Sequence, residues 1–253
     1  EGQRHEIFHG GDYPVTAAKT RRFWLVTLAA VAGVAAAVSL GLWQLDRAAQ
    51  KLALQAAIEQ RSAEPPIDAA ALLGSPPAQV VHRAVVMRGT WLPRFTVFLD
   101  NRQMDGKVGF FVVTPLALDA APATVLVERG WAPRSFTARE ALPRIETPSS
   151  TVSVAGVVAP APSRLLEFAA AASGPIRQNL DIDAFARETG LALLPLTIVQ
   201  HESGATADGL VRHWPAPAAD VQKHYGYAAQ WFAIAAGIAF LYVWHRFIRP
   251  GKP

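Results

Sequence analysis

Two uninterrupted apolar stretches lie near the ends of the 253-residue chain, and a long mixed segment separates them. Neither stretch, residues 23–43 nor residues 225–244, contains a charged side chain. Twenty helical residues extend about 30 Å, which is the thickness of the hydrocarbon core of a bilayer. Aromatic side chains lie near both ends of the second stretch, where amphipathic rings favour the headgroup region. The pattern predicts two transmembrane helices.

A cleaved signal peptide is the alternative for the first stretch, because three small alanines at residues 35–37 suit a cleavage site. The apolar region of a signal peptide is shorter, about 7–15 residues. The length of residues 23–43 therefore favours a retained helix.

Basic residues flank one end of each predicted helix, three of them within residues 19–22 and three within residues 246–252. The positive-inside rule places both of these ends in the cytoplasm, or in the matrix of a mitochondrion. We therefore predict a cytoplasmic tail (1–22), a first span (23–43), an outer domain (44–224), a second span (225–244) and a second cytoplasmic tail (245–253). The alanine-rich composition favours a bacterial inner membrane with a periplasmic outer domain, and a mitochondrial inner membrane is the alternative.

Small residues recur four positions apart in both spans and let two helices approach closely in lipid. In an antiparallel pair, Gly41 matches Ala229 in depth and Gly33 matches Gly237. We predict helix packing along Gly33, Ala37 and Gly41 on one side and Ala229, Ala233 and Gly237 on the other. In an alanine-rich chain, chance spacing is the alternative.

The segment between the spans changes from helical to strand-like patterning. Residues 44–63 continue the first helix up to Pro65-Pro66, and short helices are predicted at 68–73 and 181–188. Strand patterns cover residues 79–91, 95–100, 108–118, 124–131, 152–158 and 193–201. The turn at 101–107 contains Asp105-Gly106 and predicts a hairpin. The predicted fold is α+β: two transmembrane helices flank a mostly antiparallel β domain, barrel- or sandwich-like, with short helices.

Charge and cysteine content narrow the function. The net charge of +4 belongs to the tails, because residues 44–226 hold seventeen basic and seventeen acidic side chains. No nucleic-acid-binding face is predicted. The chain has no cysteine, which excludes disulfides and thiolate chemistry. No Gly-x-Ser-x-Gly, His-Glu-x-x-His, Walker or Gly-x-Gly-x-x-Gly motif is present, and we predict no catalytic residues.

His224 is the candidate binding residue, since it lies at the outer end of the second span. Tyr227 and Trp231 follow it on the same helix face, at i+3 and i+7. A neutral imidazole beside aromatic rings at the lipid boundary suits the iron of a macrocycle. A capping or snorkelling histidine is the alternative.

Several motifs, taken together and in order, resemble one family. They are Gly41-Leu42-Trp43-Gln44 with Arg47 and Lys51, Leu99-Asp100-Asn101-Arg102, Val112-Val113-Thr114-Pro115, Val127-Glu128-Arg129-Gly130-Trp131-Ala132-Pro133 and, from Lys223 to Phe232, KHYGYAAQWF. Over about residues 21–249 they resemble the surfeit locus protein 1 family, the Shy-type assembly factors of cytochrome c oxidase. Glu128 stands where the family usually has Asn, and Gly89-Thr90-Trp91-Leu92 replaces its Gly-x-Phe-Asp.

The resemblance implies a chaperone-like role in building haem–copper (aa3-type) oxidases, without catalysis. It implies binding of haem a and its delivery to oxidase subunit I, with contacts to other oxidase subunits or to haem a synthase. The family's proposed haem-ligand histidine matches His224, so that Tyr227 and Trp231 become haem-packing candidates.

Two other classes of function stay open. One is a scaffold that stabilises an oxidase intermediate without binding haem, and the other is a membrane-tethered enzyme. Arg47 and Lys51, one helical turn apart, could meet haem propionates, subunit I carboxylates or lipid phosphates. An ordinary headgroup-facing pair is the simpler interpretation of these two residues.

Overall fold

The computed structural model describes residues 15–135, 142–163, 165, 174–202, 208–216 and 218–248, with side chains from residue 21 onward. The helices are α1 (Val15–Ser62), α2 (Ala69–Gly74), α3 (Pro77–Val80), α4 (Ile182–Thr189) and α5 (Val221–Val243). The strands are β1 (Ala84–Trp91), β2 (Val97–Met104), β3 (Lys107–Leu118), β4 (Thr124–Pro133), β5 (Val152–Ala159), β6 (Ile176–Arg177) and β7 (Leu193–Gln200). The chain forms two compact units, residues 1–53 with 217–253 and residues 54–216.

Helices α1 and α5 are the two apolar helices that the sequence predicts. Their most apolar stretches have mean hydropathies of 2.2 and 1.4 and are only 11% and 6% buried. A core helix of a soluble protein would be mostly buried, so both helices are long, apolar and exposed enough to be candidate membrane spans. Helix α1 is described from Val15, within the predicted tail, while residues 1–14 and 249–253 lie outside the described part of the chain.

The second unit is built on a closed barrel of five strands. The strand order is β1-β5-β7-β4-β3, and β3 returns to pair with β1. Only the β4–β7 pairing within the barrel is parallel. Strand β3 is long enough to pair with β4, with β1 at its end and with β2 at its start, and β6 adds to the outer side of β2. The predicted fold class is therefore confirmed, with a barrel as the form of the β domain.

Alternating side chains give the barrel two apolar surfaces. Met87, Leu116 and Val127 belong to a buried cluster that includes side chains of all five barrel strands. A second cluster joins Phe111 and Leu126 to residues of α4, which covers that side of the sheet. Helix α4 is capped at both ends: the Asp181 carboxylate accepts from the Ala184 amide at 2.9 Å, and Gly190 adopts a left-handed conformation with φ of 70°.

Some boundaries differ from the sequence-based ones. The Pro76-Pro77 pair starts a turn of helix, α3, so the strand predicted from residue 79 begins only at Ala84. The hairpin turn is confined to Asp105-Gly106, both at positive φ, because β2 extends to Met104. Strand β6 was not predicted, since two residues are too few to show alternation. The predicted connections 132–148 and 159–174 lie partly outside the described residues.

Arg129 ties the barrel to the segments that follow it. A register shift between β3 and β4 leaves Arg129 as an extra residue, and its guanidinium lies 4.7 Å from the centre of the Trp91 ring. It donates to Thr147 Oγ1 at 2.7 Å and to the Asp208 carboxylate at 3.2 Å. Asp208 also accepts from Arg212 at 2.5 Å, and all three charged side chains are buried. These contacts give Arg129 a structural role in the barrel unit.

Candidate functional site

Helices α1 and α5 pack closely where glycine faces an aromatic ring. A Cβ atom built at Gly41 would lie 2.6 Å from the Phe232 ring, so no larger residue fits there without movement. At Gly33 the corresponding distance to the Ile238 side chain is 3.4 Å. Glycine on α1 thus makes room for large side chains on α5.

The small residues predicted to line the contact face of α5 are not the ones that pack against α1. Ala37 and Gly41 are buried as predicted for α1, but Ala229 and Ala233 are exposed. A Cβ at Gly237 would have no neighbour within 4 Å. The residues of α5 that are buried recur every seven positions, and they are Val221, Ala228 and Ala235. A seven-residue repeat keeps one seam facing a partner helix in a left-handed pair, whereas a ridge every four residues drifts away from it.

The candidate ligand residue His224 contacts α1 through a side chain that the sequence analysis did not single out. His224 Nδ1 lies 2.7 Å from Gln44 Oε1, and both residues are half-buried. An amide oxygen can only accept a hydrogen bond, so Nδ1 carries the hydrogen. In the neutral imidazole this leaves the lone pair on Nε2, which is the usual arrangement of a metal-ligating histidine with an outer hydrogen-bond acceptor.

Charged side chains surround the beginning of α5. Lys223 donates to the Asp220 carboxylate at 2.7 Å. This hydrogen bond, with smaller contributions from Lys51 and His224, holds the pKa of Asp220 below its usual value. Lys51 therefore lies close enough to Asp220 to act on its carboxyl group, and the group Lys51, Lys223 and Asp220 has a net positive charge.

The other predicted site residues differ in their exposure to solvent. Trp231 is half-buried and Tyr227 is 51% exposed. Arg47 is exposed and donates to Gln50 Oε1 at 3.0 Å. Arg47 and Tyr227 therefore lie at the surface, whereas Trp231 is partly enclosed.

A second polar contact joins α1 and α5 at the end of the helix pair that is far from His224. Thr27 Oγ1 donates to the Phe23 carbonyl at 3.0 Å and lies 2.8 Å from the Tyr242 hydroxyl. Because the only hydroxyl hydrogen of Thr27 is used on Phe23, Tyr242 is the donor. The helix pair is thus fixed by one polar contact near each end, Gln44–His224 and Thr27–Tyr242.

The barrel contains a buried acid, Glu128 of β4, which is 6% exposed. Burial raises the pKa of Glu128 to about 7, although the nearby Arg102 and a hydrogen bond with Thr197 both oppose the shift. The Arg102 guanidinium donates to Ser163 and to the Gln178 carbonyl, so neutral oxygen atoms are its hydrogen-bond partners. Within the described residues, no group of three histidine or acidic side chains is placed to hold a metal ion.

The structure thus defines a class of protein: along the sequence, two candidate membrane spans precede and follow a five-stranded barrel domain, and a glutamine of the first span contacts a histidine of the second. The SURF1 family model matches residues 31–236, and the chain belongs to the SURF1 family.

Individual relatives match over a shorter stretch. A SURF1-like protein of Rickettsia felis is 32% identical over 96 residues, which is 37% of this chain and 40% of the relative. The cytochrome oxidase assembly protein SHY1 of Saccharomyces cerevisiae is 32% identical over 93 residues, 36% of this chain and 24% of the relative. A SURF1-like protein of Rickettsia bellii is 32% identical over 96 residues, 37% of this chain and 38% of the relative. The matched stretch therefore covers less than half of each of these proteins.

Proposed function

We propose that this protein is an assembly factor for an aa3-type haem–copper cytochrome c oxidase, and that it binds haem a and assists its insertion into subunit I. Two findings support the class of process: membership of the SURF1 family and the similarity to a yeast cytochrome oxidase assembly protein. The haem role rests on one observation, the 2.7 Å contact of His224 Nδ1 with Gln44 Oε1.

That contact prepares His224 to bind iron through Nε2. The hydrogen bond fixes the tautomer and the orientation of the ring, and an amide acceptor raises the basicity of the other nitrogen. A single imidazole with one acceptor partner is a sufficient axial ligand for a haem that must later be released. Tyr227 and Trp231 lie one and two turns further along α5 and would pack against the macrocycle.

The positive charge near His224 suits the two propionates of haem. Lys223 donates to the Asp220 carboxylate, Lys51 contributes to the lowered pKa of the same group, and Arg47 lies one helical turn before Lys51 on α1. Ammonium and guanidinium groups bind carboxylates by charge-assisted hydrogen bonds. We therefore propose that Lys51, with Arg47 as a second contact, binds the propionate groups of haem.

A membrane position fits this cargo. Haem a carries a long isoprenoid tail, so a carrier built on two membrane helices presents it within the lipid rather than in water. We place both termini in the cytoplasm, the barrel domain in the periplasm and the protein in a bacterial inner membrane. Its partners are then oxidase subunit I, with other oxidase subunits or haem a synthase, and it performs no catalytic step itself.

Purification from cells that make haem a tests the proposal. The full chain, solubilised in mild detergent, should retain haem a at a fixed ratio to protein, and His224→Ala should lose most of it. His245→Ala is the matched control, because it changes a histidine at the other end of α5 and should leave the haem ratio unchanged. Melting temperatures of the variants without haem show whether they are folded.

Two results would contradict the haem role. One is a His224→Ala protein with the haem spectrum and ratio of the unmodified chain. The other is a protein that brings down oxidase subunits but no haem, which would support a scaffold function instead.

A further inference from the structure

A groove between α1 and α5, at the end opposite to His224, has the features of a phospholipid site. It has a volume of about 680 Å³, and its walls include Val26 and Ala29 of α1 and Ile238 and Leu241 of α5. This volume lies within the range of about 300–1,000 Å³ that is common for small-molecule sites. The apolar walls face outward from a helix pair that is itself a candidate membrane anchor.

Basic side chains line one end of this groove. They are Arg22 of α1 and, in the π-helical turn Trp244–Ile248 that follows α5, His245 and Arg246. The Arg246 guanidinium lies 4.3 Å from the centre of the Phe23 ring, which fixes its side chain over the groove wall. Residues 15–28 and 240–248 contain no acidic residue. Within the described part of the chain, neither arginine has a carboxylate partner.

A neighbouring groove between α1 and α5 lacks the basic side chains of the first. The second groove has a volume of about 400 Å³ and shares Ala30 and Tyr242 with the first. Its lining includes Val31 and Val243 and no charged residue. The two grooves thus offer similar apolar walls, but only the first combines them with positive charge.

We propose that the first groove binds one anionic phospholipid, with its acyl chains along Val26, Ala29 and Leu241 and its phosphate at Arg22, His245 and Arg246. Guanidinium groups bind phosphate in a two-pronged geometry, and basic residues beside a span attract anionic headgroups. A zwitterionic lipid fits the same walls but gains less from the basic end. The site is independent of the proposed haem site, which lies at the opposite end of the helix pair.

Native mass spectrometry of the full chain in detergent tests this assignment. We would add phosphatidylglycerol or phosphatidylcholine with identical acyl chains and expect at least about tenfold stronger retention of phosphatidylglycerol. Arg22→Gln should weaken that retention about fivefold, from the loss of one headgroup contact, and adding Arg246→Gln should weaken it further. Arg21→Gln is the matched control, because Arg21 is the adjacent residue and does not line the groove.

Two further variants distinguish lipid binding in this groove from the binding of other ligands. Ala29→Trp fills the apolar wall and should weaken retention of both lipids, whereas His224→Ala should leave the selectivity unchanged. Equal retention of the two lipids, or full retention by the double arginine variant, would overturn the proposal. So would glycerol phosphate binding as tightly as the lipid, or haem displacing the lipid from the groove. Unchanged melting temperatures without added lipid show that the variants are folded.

Discussion

His224 and Gln44 are 180 positions apart in the chain and lie on different helices, yet their side chains meet at 2.7 Å. The amide oxygen of Gln44 requires a hydrogen on Nδ1 of His224 and so leaves Nε2 as the nitrogen that can bind a ligand. Gln44 is therefore a positioning residue for His224. In the proposed function, it acts on haem only through the histidine.

Replacing Gln44 should weaken the proposed binding of haem without removing the proposed iron ligand, His224. We expect Gln44→Leu to lower the affinity for haem about 10–100-fold, the usual effect of losing an outer hydrogen-bond partner of a ligating histidine. Titration with haem, followed by absorbance, measures this change. Gln44→Glu keeps an acceptor at the same place and should restore most of the affinity, and Gln230→Leu, at an exposed position of α5, is the control. Wild-type affinity in Gln44→Leu would disprove the positioning role.

The pairing of Gln44 with His224 could not be predicted from the sequence, although both residues belong to recognisable motifs. The spacing along each helix gives the residues that share a face, but not the rotation of one helix against the other. That rotation depends on which large side chains enter which gaps. Here Phe232 fills the gap at Gly41 and Ile238 fills that at Gly33, which turns Ala229 and Ala233 outward.

The Gly41–Phe232 contact gives a test of this packing. Gly41→Leu should lower the free energy of unfolding of the helix pair by about 1–3 kcal/mol, because the new side chain would overlap the Phe232 ring. Gly237→Leu should cost nothing and can be stabilising by up to about 1 kcal/mol, since open space surrounds a Cβ there and glycine is a poor helix former. Thermal unfolding in detergent compares the two variants.

A compensating change strengthens the test. Adding Phe232→Ala to Gly41→Leu removes the overlapping ring and should recover part of the lost stability. If Gly41→Leu and Gly237→Leu have the same effect, the observed seam between α1 and α5 is incorrect.

In the barrel unit, too, features that depend on neighbouring residues could be predicted, whereas contacts between distant residues could not. The Asp105-Gly106 turn and the Asp181 and Gly190 caps were predictable, because each depends on residues next to it in the chain. The closure of the barrel depends on β1 meeting β3, as in the pairing of Gly89 with Leu118. No pattern within either strand specifies that partner, so the sequence left both a barrel and a sandwich possible.

The buried charges around Asp208 should be essential for the stability of the barrel unit. Asp208→Asn would remove the acidic partner that Arg129 and Arg212 share within the described residues, and breaking such a buried pair costs about 3–5 kcal/mol. The exposed pair of Asp105 with His213 supplies the control, because water screens it and Asp105→Asn should have a much smaller effect. Urea unfolding of the full chain in detergent, followed by the fluorescence of its tryptophans, measures both. Equal losses would show that the Asp208 network is not a stabilising element.

Glu128 should make the stability of the barrel unit fall as the pH rises. Burial raises its pKa from the ordinary value of 4.5 to about 7 in the folded protein. Between these values the unfolded chain releases the proton while the folded chain keeps it, so the favourable contribution is complete below about pH 4.5 and is lost as the pH passes 7. A shift of this size corresponds to about 3 kcal/mol.

Glu128→Gln removes this titration while keeping the shape and the hydrogen-bonding capacity of the side chain. The free energy of unfolding, measured by urea from pH 4.5 to pH 8, should therefore be similar for the variant and the unmodified chain at the acidic end. At pH 8 the variant should be more stable, by up to about 3 kcal/mol. His82 and His201, whose pKa values are lowered by burial, contribute the opposite slope to both proteins, so the difference between the two curves isolates Glu128. A difference that stays constant across this range would show that Glu128 is ionised in the folded barrel throughout.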